Sequence, residues 1–182
     1  LYGRGHWPGA VAVGVDDGAF ETWAGALLPD GPVVVHAEDP EQAERAWRRL
    51  RRVGHDACAG GVLDAPAGAE RLPQLDAVDL FLPHGQSPWQ VVDVRTSDEF
   101  RSGHVPAAVH WELRHDMDRR VPSGLDRARP TALVCEGGYR SRAAAHLLRR
   151  AGFTALGNVA DGMPGWRRNH LPLATGAPSD PR

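Results

Sequence analysis

Lysine and isoleucine are absent: all 21 basic side chains are arginine, and valine and leucine carry the branched aliphatic load. Both missing residues have AT-rich codons, so the bias points to a high-GC genome and not to a function. Cysteine is scarce, with Cys58 and Cys135 alone. Two thiols cannot build a disulfide framework, and a reducing compartment, the cytoplasm, is the expectation. No apolar run approaches the ~18 residues of a membrane span, and Leu1-Tyr2-Gly3-Arg4-Gly5-His6 is not a signal peptide. A net charge of −2 offers no electrostatic case for nucleic acid or an acidic membrane as partner. The nine histidines form no H-x-H or H-x3-H pair, so no metal site follows from them. What remains is an ordinary globular composition, 42% apolar and 24% charged, in 182 residues that allow one domain or two small ones.

The chain repeats itself. Gly5-His6-Trp7-Pro8-Gly9-Ala10-Val11 recurs 98 residues later as Gly103-His104-Val105-Pro106-Ala107-Ala108-Val109. Pro32-Val33-Val34-Val35-His36 pairs with Thr131-Ala132-Leu133-Val134-Cys135, each an apolar run leading through a loop into an Ala/Arg-rich helix. These helices, 41–53 and 141–151, end at Gly54 and Gly152, as a left-handed cap requires. The copies are unequal. Trp89-Gln90-Val91-Val92-Asp93-Val94-Arg95 reads as a buried parallel strand ahead of the second Gly-His-x-Pro, whereas only Leu1–Arg4 precede the first. A sheet without an interior strand leaves backbone groups unpaired. Residues 1–70 are therefore expected to form an incomplete domain and 71–182 a complete one. In the latter the pattern predicts strands at 75–78, 90–94, 108–111, 131–135 and 155–159. Helical segments are predicted at 79–82, 97–101, 141–151 and 163–169. This alternation implies an α/β fold, a parallel sheet with helices on both faces, whose ligands bind at the carboxyl ends of the strands. Cys135 ends the fourth strand.

The loop after that strand reads Cys135-Glu136-Gly137-Gly138-Tyr139-Arg140-Ser141. Two glycines permit positive φ and let backbone N–H groups turn toward one point. Ser141 is expected to cap the helix, and Arg140 adds positive charge to its amino end. Such a cradle favours the thiolate, the reactive form of cysteine. The plain alternative is a small buried hydrophobe at a strand end. Glu136 has two readings: it faces solvent without a role, or its charge disfavours a small dianion at this site relative to larger ligands. Tyr139 is a pocket wall or an exposed loop aromatic. Asp93, Arg95 and Glu99 are expected to form an ion-pair network fixing the strand end. His104 is read as scaffold, Trp166 as a core plug, and Cys58 as buried packing. In the first copy His36 stands in the place of Cys135. Its acidic, glycine-free loop cannot cradle an anion, so this half is expected to be inactive.

Asp93-Val94-Arg95, Glu99-Phe100, Gly103–Ala108, the Cys135–Ser141 loop and Asp161-Gly162-Met163-Pro164-Gly165-Trp166 together resemble the rhodanese family of sulfurtransferases. The resemblance covers residues 72–173, and the first half resembles the same family from its Gly-His-x-Pro onward. It implies a rhodanese-like fold in two copies, the first incomplete, and transfer of sulfane sulfur through a persulfide on Cys135. The donor would be thiosulfate or a thiol persulfide, and the acceptor cyanide, sulfite or a thiol. Glu136, Gly137, Gly138, Tyr139, Arg140 and Ser141 would form the substrate-binding loop. No metal or organic cofactor is implied. The loop and the degenerate first copy are similar to the C-terminal part of fusions with a metallo-β-lactamase-fold domain. With a leucine at position 1, this leads to the expectation of a missing upstream domain. Two rivals remain. A cysteine-dependent phosphatase or arsenate reductase needs five residues between Cys and Arg, and only four separate Cys135 from Arg140. A non-catalytic interaction module would have no need of the intact loop.

Overall fold

The computed structural model describes residues 5–16, 19–81, 87–114 and 121–177. The chain divides into two compact units, Leu1–Leu72 and Pro73–Arg182.

The first unit contains α1 (Phe20–Leu27), β1 (Val33–His36), α2 (Pro40–Arg51) and β2 (Cys58–Val62), with β1 and β2 paired in parallel as a two-stranded sheet. Asp39 starts α2 by accepting the Gln42 N–H at 2.7 Å, with Pro40 at the first helical position, where its missing N–H costs nothing. Gly54, at φ +86°, ends it. Helix α1 was not expected. Its Phe20 and Ala24 lie one turn apart and bury against Ala46 and Leu50 of α2, with Val33, Val35 and Val53 packed around them. Cys58 is half-buried, not enclosed, and its Sγ lies 3.4 Å from the Gly60 carbonyl.

The second unit holds β3 (Gln74–Leu75), α3 (Ala77–Leu80), β4 (Gln90–Asp93), α4 (Ser97–Ser102), β5 (Val109–His110), β6 (Thr131–Val134), α5 (Tyr139–Arg150), β7 (Leu156–Val159) and α6 (Gly162–Arg168). Five parallel strands stand in the order β3-β7-β6-β4-β5, the expected α/β architecture. The central strand β6 and its neighbour β7 are buried throughout, β6 as the apolar run Ala132-Leu133-Val134 and β7 with a buried Asn158 between Gly157 and Val159. The strand expected at 75–78 is shorter. Asp76 and Asp79 form a reciprocal cap, and Asp161 accepts the Ala77 N–H at 3.1 Å, so Ala77 and Val78 belong to α3. Residue 82 of the expected segment 79–82 lies outside the described residues. The core gathers Phe100, Val105, Ala132, Val134, Val159, Met163 and Trp166, and the Trp166 indole donates to Pro172 O at 2.7 Å.

The repeated sequences carry repeated geometry. His6 exchanges backbone hydrogen bonds with Glu70 at 2.9 and 3.0 Å, and His104 does so with Ala174 at 2.9 and 3.0 Å. Gly9 at φ +77° answers Ala107 at φ +62°. Val33 N–H donates to Ala57 O, and Thr131 N–H to Ala155 O. That last pair moves one expectation: Val33 matches Thr131, so His36 matches Val134, and it is Ala37 that stands where Cys135 stands. The extra residue of the second copy lies in the loop, 135–138 against 37–39.

Candidate active site

Cys135 leaves β6 at the carboxyl edge of the sheet and is fully buried. The Gly138 N–H donates to its Sγ at 3.0 Å. Gly138 makes this possible by adopting φ +77° at the start of α5, where an added Cβ would meet Ala160 O at 3.0 Å. Gly137 is exposed and does not adopt positive φ, so one glycine, not two, makes the turn. No side chain caps α5. The expectation that Ser141 does so is wrong: its hydroxyl is fully buried beneath the loop, 3.3 Å from Cys135 Sγ, and donates to Asn158 Oδ1 at 2.6 Å.

The ionic groups divide into pairs instead of one network. Arg95 and Asp93 are both buried, joined by Arg95 Nη2 to Asp93 Oδ2 at 2.7 Å, with the same Nη2 donating to Gly103 O at 2.7 Å. Burial of two charges is tolerable only with this degree of pairing. Glu99 does not join them. Its carboxylate receives both Arg140 Nη1 at 2.7 Å and Arg140 Nη2 at 2.8 Å, and also the Thr96 N–H at 2.9 Å that opens α4. The fork of hydrogen bonds from Arg140 holds Glu99 down at about 2, and Glu99 in turn raises Arg140 above its usual range. Arg140 thus anchors the loop to α4 and has its fork already filled.

Glu136 is partly exposed but has partners, which corrects only the expectation that it faces solvent without a role. It bonds Arg167 of α6 at 2.8 Å and faces the buried Arg95 Nη1 at 3.7 Å, an ion pair too long for a hydrogen bond. Tyr139 is exposed and lies under the Arg142 guanidinium at 4.8 Å, while Arg142 Nε donates to Gly138 O at 2.8 Å. His104 is scaffold, its Nδ1 2.8 Å from Phe100 O and its ring stacked on Phe100.

Several supporting residues escaped the sequence reading. Met163 N–H donates to Cys135 O at 3.0 Å. Gly162, at φ +54°, lets α6 lie against the loop: an added Cβ would stand 2.2 Å from Glu136 O. The Asp161–Trp166 motif signalled this support without saying what it touched. Asn158 and its partner Gln74 carried no signal at all. Among the described residues, no group of three or more His, Cys, Asp or Glu side chains is arranged to hold a metal. Among the same residues, no helix is long and apolar enough to cross a membrane.

The model of the rhodanese family, described as a rhodanese-like domain, matches residues 79–169. The chain belongs to this family. It is 34% identical over 80 residues to a thiosulfate sulfurtransferase of Pseudomonas savastanoi pv. phaseolicola, spanning 44% of this chain and 74% of that protein. It is 28% identical to the senescence-associated protein DIN1 of Raphanus sativus, over 77% of this chain and 78% of that one. Among solved structures it is similar to a rhodanese-like domain of an Anabaena protein, with a TM-score of 0.50 and 26% identity over 57% of this chain and 80% of the other.

Proposed function

We propose that the protein is a sulfurtransferase in which Cys135 carries sulfane sulfur from a small-molecule donor to a nucleophilic acceptor. The Cys135 thiolate attacks the outer sulfur of thiosulfate or a thiol persulfide. An S–S bond to Sγ forms while the donor's own S–S bond breaks, and its electron pair leaves with sulfite or the thiolate. The transferred sulfur then bears the negative charge. Cyanide, sulfite or a thiolate takes that sulfur, and the Sγ–S electron pair returns to Cys135. No net oxidation occurs, and this chemistry of thiolate exchange asks for no metal or organic cofactor.

The observation that carries the reading is the 3.0 Å hydrogen bond from Gly138 N–H to Sγ at the open end of α5. A helix end with no side-chain cap offers its N–H groups and partial positive charge to a sulfur anion. The filled fork of Arg140 favours this over phosphate chemistry, which would need that guanidinium on the substrate. Relatives named thiosulfate sulfurtransferases add support. The first unit, with Asp39 capping α2, is proposed to be catalytically silent.

Mass spectrometry after exposure to thiosulfate and, separately, to glutathione persulfide tests the proposal. The Cys135 peptide should gain one sulfur atom, Cys58 should gain none, and Cys135→Ser should lose transfer while keeping the fold. Undiminished transfer by Cys135→Ser removes the enzyme reading.

A further inference from the structure

Behind the sulfur runs a chain of hydrogen bonds that ends at the surface. Cys135 Sγ lies 3.3 Å from Ser141 Oγ, Ser141 Oγ donates to Asn158 Oδ1 at 2.6 Å, and Asn158 Nδ2 donates to Gln74 Oε1 at 2.8 Å. Cys135, Ser141 and Asn158 are fully buried, while Gln74 is exposed on the edge strand β3. The parallel register sets Gln74 directly beside Asn158, which is why the two amides meet.

A serine hydroxyl has one proton. Here Asn158 Oδ1 receives it, so toward the sulfur Ser141 is only an acceptor, and the partner it suits is a protonated thiol. A thiolate would face the Ser141 lone pairs. The same atoms satisfy a second arrangement in which every bond runs the other way: Gln74 Nε2 to Asn158 Oδ1, Asn158 Nδ2 to Ser141 Oγ, and Ser141 Oγ–H to the sulfur anion. Half-reversal is costly, because it leaves a buried polar atom of Asn158 unpaired.

We infer that Asn158 and Gln74 are positioning residues that act through Ser141, and that the Gln74–Asn158–Ser141 chain reverses direction when Cys135 ionises to attack a donor. One proton leaves, from Sγ to solvent; the hydroxyl rotates and the two amides turn over, with no other proton transferred. The inference rests on Cys135 being the reacting group. The other charges near the sulfur are Asp93 with Arg95 at the end of β4, Glu99 of α4 with Arg140 of α5, Arg142 of α5, and Glu136 with Arg167 of α6. All are kept in the variants below.

The test is the pH dependence of Cys135 alkylation by iodoacetamide, in full-length protein carrying Cys58→Ser. Gln74→Glu places an obligatory acceptor at the end of the chain and holds it in the thiol direction. The alkylation midpoint should move up by about one pH unit, a tenfold lower rate below both midpoints, equivalent to about 1.4 kcal/mol. The added charge would also act through space, so the substitution is repeated with Ser141→Ala, where the chain is cut and the charge remains. The displacement should shrink there to the part the charge exerts through space, and Ser141→Gly is a second cut if the alanine variant melts early. An equal displacement with and without Ser141, or none with it, overturns the inference. Alkylation reads the thiol whether or not sulfur is transferred, so failure of the chain and failure of the sulfurtransferase proposal are separate results.

Discussion

The two units build the same strand–loop–helix step and end it differently. In the first, Asp39 closes the amino end of α2 by accepting the Gln42 N–H with its own carboxylate, after a loop of three residues, 37–39. In the second, one more residue and a left-handed Gly138 start α5 with no side-chain cap, and a backbone N–H points at sulfur. A capped helix end is stable and chemically mute, whereas an uncapped one keeps its donors for an anion. One difference between the two steps therefore lies in what satisfies the first backbone donors of one helix. The order of strand, loop and helix is shared, although β6 and α5 are more deeply buried than β1 and α2.

The comparison breaks most visibly if the units are separated. Among the described residues the first unit pairs only β1 with β2, and two strands with two helices bury little apolar surface. A fragment of residues 73–182 should fold cooperatively and retain sulfur transfer from Cys135. A fragment of residues 1–72 should give a circular dichroism spectrum without a cooperative melt. A sharp melt of the shorter fragment would show that the first unit is self-sufficient.

A smaller effect separates the two kinds of glycine. At Gly162 a methyl group would collide with the carbonyls of Glu136 and Cys135 at 2.2 and 2.5 Å, in a backbone already at φ +54°. Gly162→Ala should cost about 2–4 kcal/mol from strain and overlap, and should depress transfer by distorting the loop. Gly9→Ala has open space and only the positive φ to bear, which Ala107 bears at the matching position. It should cost about 1 kcal/mol and leave transfer intact. Chemical denaturation and a transfer assay on both variants check this, and equal losses would contradict it.

These contrasts also explain what the sequence made legible. Buried parallel strands announce themselves as apolar runs, and Gly54 and Gly152 mark where helices stop, so the sheet and the place of Cys135 followed from pattern. Helix α1 was hidden because its apolar face is short. Ser141 looked like a cap because serine usually is one at such a position, but Asn158, 17 residues away, accepts its hydroxyl hydrogen bond. Glu99 looked like a partner for Arg95 because they are neighbours in sequence. Across the fold, Arg140 outbids that proximity by offering two parallel donors. Partner choice among polar groups is a long-range geometric outcome, and local pattern does not encode it.

The smallest expected effect concerns acid. A glutamate in each unit is lowered to about 2 by an arginine: Glu21, by hydrogen bonds from Arg49 on α2, and Glu99, by those from Arg140 on α5. Both carboxylates are charged in the folded state at pH values where an unfolded glutamate, near 4.5, has begun to protonate. Folding then requires fewer bound protons than unfolding, so each pair's contribution is complete above about 4.5 and is lost as pH falls through about 2. Replacing a glutamate by glutamine removes its share of that slope. Glu99→Gln should flatten the acid limb more than Glu21→Gln, because Glu99 also closes the Thr96 cap. Denaturant midpoints between pH 5 and 2 measure it. If Glu21→Gln flattens the limb as much, the Glu99–Arg140 pair is an ordinary surface ion pair and the two units are electrostatically alike.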